Sequence, residues 1–264
     1  MTQIYKNIII GASIEGLQLA KALSKDHTTI IISKNFVYGI PDSGIDTCEG
    51  TVVHLSYLKG LFGVTLQKAS ACETIYGLNL VLTMGTKPIK TSFNHTDIHY
   101  KAADLSGRHK LEVAVVYGPD ADATAYALDL SKKFCYVHLC TPGFDIPGTA
   151  KQIKQLANRA NISHLPGCNI TTYKTNSEGR LTTVFTDIYG SINTSTLVMA
   201  LGRKPDVPTW VDSFIEVDSE GFLPIKSTLV PRVFAIGALC KQYSTQEARF
   251  IIETLAQEEE PLSC

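Results

Sequence analysis

The chain has 264 residues, 44% of them hydrophobic and 19% charged, which suits a soluble globular protein long enough for two modest domains. A formal net charge of −1 gives no electrostatic case for nucleic acid or an anionic membrane surface. No apolar run reaches the roughly 18 residues of a membrane span, and the start "MTQIYKNIIIGAS" enters a strand without signal-peptide organisation, so a cytoplasmic protein is expected.

The first pattern is β-α-β. Ile8, Ile9 and Ile10 form the short apolar run of a parallel strand covered on both faces, Gly11 to Gly16 is a turn, and Leu17, Ala20 and Leu23 carry helical periodicity. Thr29 to Ile32 is the next strand. Residues 51–61 read as a helix, and Cys48 stands just before it, where a helix dipole would favour its thiolate although Glu49 opposes this. A second β-α-β unit has its strand at Val113 to Tyr117, its turn at Gly118-Pro119-Asp120-Ala121-Asp122-Ala123, its helix over 121–132, and a further strand in "FCYVHLC". The acidic residues of that turn read most simply as helix caps, Asp120 or Asp122 serving the helix from Ala123 onward.

A helix at 149–160 follows, then strands in "NITTYKT", "LTTVFTD" and "TSTLVMAL", separated by the turn signals 176–179 and 189–191. The segment 202–208 reads as a linker, "PRVFAIGALC" as one more buried strand, and "TQEARFIIETLAQEEE" as a closing helix whose acidic end, Glu258 to Glu260, is a solvated terminus.

The seven cysteines, Cys48, Cys72, Cys135, Cys140, Cys168, Cys240 and Cys264, are odd in number and scattered, and no C-x-x-C occurs. That argues against a disulfide framework and a zinc site. Cys135 and Cys140, five apart on one strand, point to opposite faces and cannot pair. The histidines have no metal-ligand spacing, and His54 and His138 lie in apolar stretches as core histidines.

In order and spacing, these pieces resemble the thioredoxin reductases, within the pyridine nucleotide-disulfide oxidoreductase superfamily. "IIIGASIEGLQLAKAL" looks like an FAD fingerprint, "LVLTMGTKP" like the strand returning from the FAD domain, and "VAVVYGPDADATAYALDL" like an NADPH fingerprint. "LVMALGRKPD" looks like the second crossover and "VFAIGALC" like the strand that ends at the FAD ribityl chain. The resemblance implies an α/β fold of two Rossmann-like, three-layer domains, the second inserted into the first. An FAD-type domain would comprise 1–108 and 206–264, and an NAD(P)-type domain 109–205. It also implies a homodimer.

Against that pattern the chain departs at each site. In the FAD-type site, Gly11 and Gly16 are kept but the middle position is Ser13; the second strand ends at Ser33 without a ribose-binding carboxylate; the ribityl aspartate is replaced by Ala238, after Gly237; and the returning strand keeps Gly85. In the NAD(P)-type site Gly118 and Ala123 are kept around Asp120, which puts a negative side chain where a pyrophosphate would approach, and no arginine pair follows. The stretch "DIHYKAADLSGRHKLEV", where the family carries its redox cysteines, has none.

The expectation is a thioredoxin-reductase-like protein, non-catalytic as a disulfide reductase, without ordinary NAD(P)H binding and without a metal site, acting as a scaffold, regulatory or ligand-binding protein with a possible protein partner. The alternative is an FAD-dependent oxidoreductase that holds its flavin in altered form. It would take electrons from a donor other than NAD(P)H, with Cys48 as the redox candidate.

Overall fold

In the computed structural model, residues 3–257 are described except 26, 40–43, 70, 106–108 and 242–244. The chain forms two compact units, one of Met1–Lys87 with Lys204–Cys264 and one of Pro88–Arg203.

The first unit opens with β1 (Ile4–Ile10), α1 (Ile14–Leu23), β2 (Thr29–Ser33) and β3 (Asp46–Glu49). It continues through β4 (Thr51–Leu58), β5 (Leu61–Gln67), β6 (Cys72–Leu82) and the short β7 (Thr86–Pro88). Its sheet runs β3-β2-β1-β6-β5-β4, in which β1, β2, β3 and β6 are parallel neighbours and β4, β5 and β6 form an antiparallel meander.

Residues 51–61 are therefore a hairpin, not the helix that the sequence suggested. Thr51, Val52 and Val53 are β-branched, and Lys59 (φ 51°) and Gly60 (φ 80°) supply the two left-handed positions of a tight two-residue turn. The segment joining β2 to β3 has no helix among its described residues.

The second unit holds β8 (Ile98–His99), β9 (His109–Tyr117), α2 (Ala121–Leu130), β10 (Phe134–Cys140), α3 (Ala150–Ala157) and β11 (Ile162–Leu165). The meander β12 (Ile170–Thr175), β13 (Leu181–Thr186) and β14 (Gly190–Asn193) follows, then β15 (Thr196–Met199); the short β16 (Arg203–Pro205) starts at this unit's last residue and continues in the first unit's second segment. Its parallel sheet runs β11-β10-β9-β15-β8. The sequence reading placed residues 88–108 with the first unit; β8 pairs with β15, and so they group with the second. The chain then continues the first unit with β17 (Val233–Ala235), which pairs with β6, and α4 (Thr245–Gln257). Glu258 to Glu260 and Cys264 lie outside the described residues.

Both units are built by one rule. Alternate residues of a strand face opposite ways, so a strand buried on both sides needs apolar residues throughout. Ile8, Ile10, Ile30, Ile32, Leu80 and Leu82 pack on the meander side with Leu55, Phe62 and Val64, while Ile9, Ile31 and Val81 pack against Leu19 and Leu23 of α1 and Ile251 of α4. In the second unit Ala114, Val116, Val137 and Leu139 meet Ala123, Ala127 and Leu156 of the helices, whereas Val115, Leu197 and Met199 meet Leu181, Val184 and Ile192 of the meander. Each such buried aliphatic side chain contributes roughly 1.5–3 kcal/mol. Among the described residues, no helix is long and apolar enough to cross a membrane.

Candidate functional site: two strand-to-helix turns

The ends of the parallel strands bring most of the predicted residues together, one cluster per unit. In the first, β1 ends at Gly11 (φ 108°), where a Cβ would stand 2.7 Å from the Met84 nitrogen and closer to the Thr83 carbonyl. Thr83, 1% exposed, donates its hydroxyl to the Gly11 carbonyl at 2.6 Å, and that same hydroxyl would clash with a side chain at Gly16. Sequence reasoning missed Thr83, whose only mark was its place after "LVL" at the end of β6. Both glycines are therefore required by packing between β1, α1 and β6, with or without a ligand.

Ser13 is the N-cap of α1: its Oγ accepts the Gly16 N–H at 3.1 Å, satisfying one of the donors a helix start leaves open. Glu15 sits in the first turn of the helix, and its carboxylate packs on Gly237 (φ 79°), 3.3 Å from where a Cβ would be. Ala238, the next residue, is exposed. Ser33 closes β2 and donates its hydroxyl to the Asn35 carbonyl at 2.7 Å. Gly85 (φ 83°) is open around its Cα, and its carbonyl accepts the Asp206 N–H.

The second cluster repeats the arrangement. A Cβ at Gly118 would fall 2.9 Å from the Ala200 carbonyl carbon and closer still to its oxygen. Ala123 is fully buried beneath β9 and β10. Asp120 takes the N-cap position of α2 (φ −126°, ψ −178°), but its side chain makes no capping bond. Its Oδ1 is buried without a hydrogen-bond partner, and its Oδ2 lies 3.2 Å from the Cβ position of Gly202 (φ 82°). The capping bond expected of this carboxylate is therefore not made, and its Oδ2 sits beside Gly202. Burial, with the Asp122 charge adding to it, pushes the Asp120 carboxyl above its ordinary value.

That shift has a definite sign. A carboxyl whose folded pKa is raised costs stability when ionised, fully above the folded pKa and not at all once pH falls below the unfolded value, 3.8. Asp120→Asn is expected to stabilise the protein near neutrality, because it removes the part-buried charge. In urea titrations the gain should shrink as pH falls through the aspartate range; a gain independent of pH would contradict the account.

Cys48 is 8% exposed in β3, where Ile32 is its register partner, and no helix starts near it, so the dipole argument for its thiolate does not apply. Nearby, Tyr5 donates to Asp46 at 2.9 Å, and burial followed by that carboxylate pushes its pKa up to about 12. Cys140 and Cys168 are fully buried and Cys240 nearly so, while Cys72 and Cys135 are exposed. Burial pushes the Cys140 and Cys168 thiols up. Iodoacetamide followed by peptide mass mapping should therefore modify Cys72 and Cys135 in the native protein, and the four buried cysteines only in urea. Labelling of Cys48 as fast as Cys72 would refute its burial as a protecting factor.

His54 is exposed on β4, against the expectation of a core histidine, because the strand turns it outward. His138 is half-buried beside the Ser163 hydroxyl at 2.8 Å, and burial lowers its pKa. Among the described residues no group of three or more His, Cys, Asp or Glu could hold a metal ion.

A family of pyridine nucleotide-disulphide oxidoreductases matches residues 121–254. No curated protein matches the sequence. Among solved structures, the chain is similar to the thioredoxin reductase of Lactococcus lactis (TM-score 0.81, 12% identity, 96% of this chain and 99% of that one). It is also similar to the bacillithiol disulfide reductase of Bacillus cereus (0.78, 16%, 97% and 100%) and to the thioredoxin reductase of T. acidophilum (0.75, 16%, 96% and 95%). At these identities the likeness is one of fold.

Proposed function

The chain belongs to the pyridine nucleotide-disulphide oxidoreductases, and from that premise we propose that it is a thioredoxin-reductase-like member that does not reduce disulfides by a C-x-x-C route. It acts instead as a ligand-binding, scaffold or regulatory protein, as a homodimer. One observation carries the reading: in each unit a carboxylate packs on the glycine that faces a helix N-terminus, Glu15 on Gly237 and Asp120 on Gly202. A dinucleotide pyrophosphate seeks that helix end because its open N–H groups and dipole attract negative charge. A carboxylate fixed there repels the same group.

The remaining contacts point the same way. Ser33 and Ala238 offer no charge to a ribose or a ribityl chain, and the sequence has no C-x-x-C. These residues do not fit a conventionally held FAD or NAD(P)H. Of the glycines that survive, Gly11, Gly16 and Gly118 are ones that packing demands.

The visible spectrum of the purified protein tests this, before and after incubation with FAD. The expected protein is colourless, leaves the fluorescence of added FAD unquenched, and gains no thermal stability from NADPH. Bound-flavin absorption bands would overturn the reading in favour of the second one, a flavoprotein fed by a donor other than NAD(P)H through Cys48.

A further inference from the structure

The second unit carries a cleft of about 660 Å³ outside both turns, formed by residues between Pro88 and Asp104. The size is that of a small-molecule site, for which roughly 300–1,000 Å³ is usual.

Its walls are held rigidly. The Tyr100 hydroxyl accepts the Thr91 N–H at 3.2 Å and donates to the Phe93 carbonyl at 3.0 Å, which ties the ring to the segment before it. Phe93 is locked edge-on against Tyr173 with ring centroids 5.8 Å apart. Both nitrogens of His95 are committed: Nδ1 accepts the Asp97 N–H at 3.1 Å, which leaves Nε2 to donate to the Gly179 carbonyl at 2.8 Å.

Three polar groups are not committed. No described carboxylate pairs with Lys90 or Lys101, and Lys90 rests its ammonium over the Tyr100 ring, 5.7 Å from the centroid. That contact is worth only about 0.5–1 kcal/mol at an exposed site. His99 is half-buried and has no hydrogen-bond partner among the described residues. Against two ammonium groups the cleft sets one carboxylate, Asp104, which is exposed.

We propose that this cleft binds a small organic anion bearing a flat ring: the ring lies against Tyr100 and Phe93, the anionic group meets Lys90 and Lys101, and His99 hydrogen-bonds the ligand. The proposal gives the ligand-binding part of the functional reading a place. Its test is separate, since the outcome of an anion titration does not depend on whether flavin binds.

Isothermal titration calorimetry of the full chain with benzoate tests it, with acetate, inorganic phosphate and benzylamine as companions. Benzoate is expected to bind, acetate and phosphate more weakly, and benzylamine not at all. High salt should weaken binding because the site is open to solvent. Lys101→Gln and Lys90→Gln should each lower benzoate affinity, by about tenfold where the lysine makes a charge-assisted hydrogen bond. Lys132→Gln, which removes a surface lysine paired with Asp129 at 2.8 Å, should leave it unchanged. Lys90 and Lys132 are exposed and Lys101 is half-buried, and circular dichroism checks that each variant is folded. No heat with benzoate, equal binding of benzylamine, or unchanged affinity in both cleft variants would overturn the site. Acetate or phosphate binding as tightly as benzoate would overturn the ring assignment.

Discussion

Gly118→Ala is expected to cost the second unit about 3 kcal/mol or more, from a single added methyl group. The methyl would lie 2.9 Å from the Ala200 carbonyl carbon, nearer to the oxygen, and no side chain can rotate to relieve it because the obstacle is backbone. Nor can that backbone shift freely. The Ala200 N–H donates to the Tyr117 carbonyl at 2.7 Å and the Gly118 N–H to the Cys140 carbonyl at 3.2 Å, tying the ends of β9, β10 and β15 together. Overpacking of this kind costs about 1–3 kcal/mol even where neighbours can yield. A domain has only about 5–15 kcal/mol in total.

Far-UV circular dichroism in urea should show the midpoint fall by about 1–3 M, given a slope of roughly 1–3 kcal/mol per molar. The result bears on function as well as stability. If alanine were tolerated, the glycine would need another explanation, and close approach of a ligand to the turn would be the obvious one.

Asn79→Ala should cost the first unit a comparable amount, about 2–4 kcal/mol, by a different route. Asn79 donates to Asn7 Oδ1 at 2.9 Å, and Asn7 in turn donates to Thr29 at 3.3 Å, across three neighbouring strands. All three residues are 2% exposed or less. Truncation leaves a buried amide oxygen without its donor and a void beside it, and both terms are destabilising. Replacing Asn7 and Asn79 together by valine should cost less than the sum of the single changes, since neither partner is then left unpaired. Trp210, the sole tryptophan, packs against this unit's core and reports its unfolding by fluorescence. A loss below about 0.5 kcal/mol would mean that the pair is not the closed network its geometry describes.

The two forecasts separate what a linear reading can reach from what it cannot. Gly11, Gly16, Gly118 and Ala123 were visible as small residues at fingerprint spacing, and the apolar runs Ile8 to Ile10 and Val113 to Val116 announced strands buried on both faces. These signals are local: a period of two or a glycine at a turn is written within a few residues. The helix suggested for residues 51–61 failed because a short apolar stretch carries no decisive period, and a tight turn at Lys59-Gly60 outweighed it.

The sequence by itself determined the frame: two parallel β-α-β units, the glycines that let strand and helix meet, the absence of C-x-x-C, and uncharged residues at Ser33 and Ala238. Only the tertiary structure decided what those glycines touch. Thr83 forces Gly11 and Gly16 from a strand far along the chain, Glu15 reaches Gly237 across most of its length, and Asp120 faces Gly202 instead of capping its own helix. It also put Cys48 in a strand and left Lys90, Lys101 and His99 around one cleft. The reason is the range of the forces involved. Backbone geometry and hydrophobic period act between near neighbours, whereas the surroundings of a carboxylate or a thiol are set by residues that only folding brings into contact.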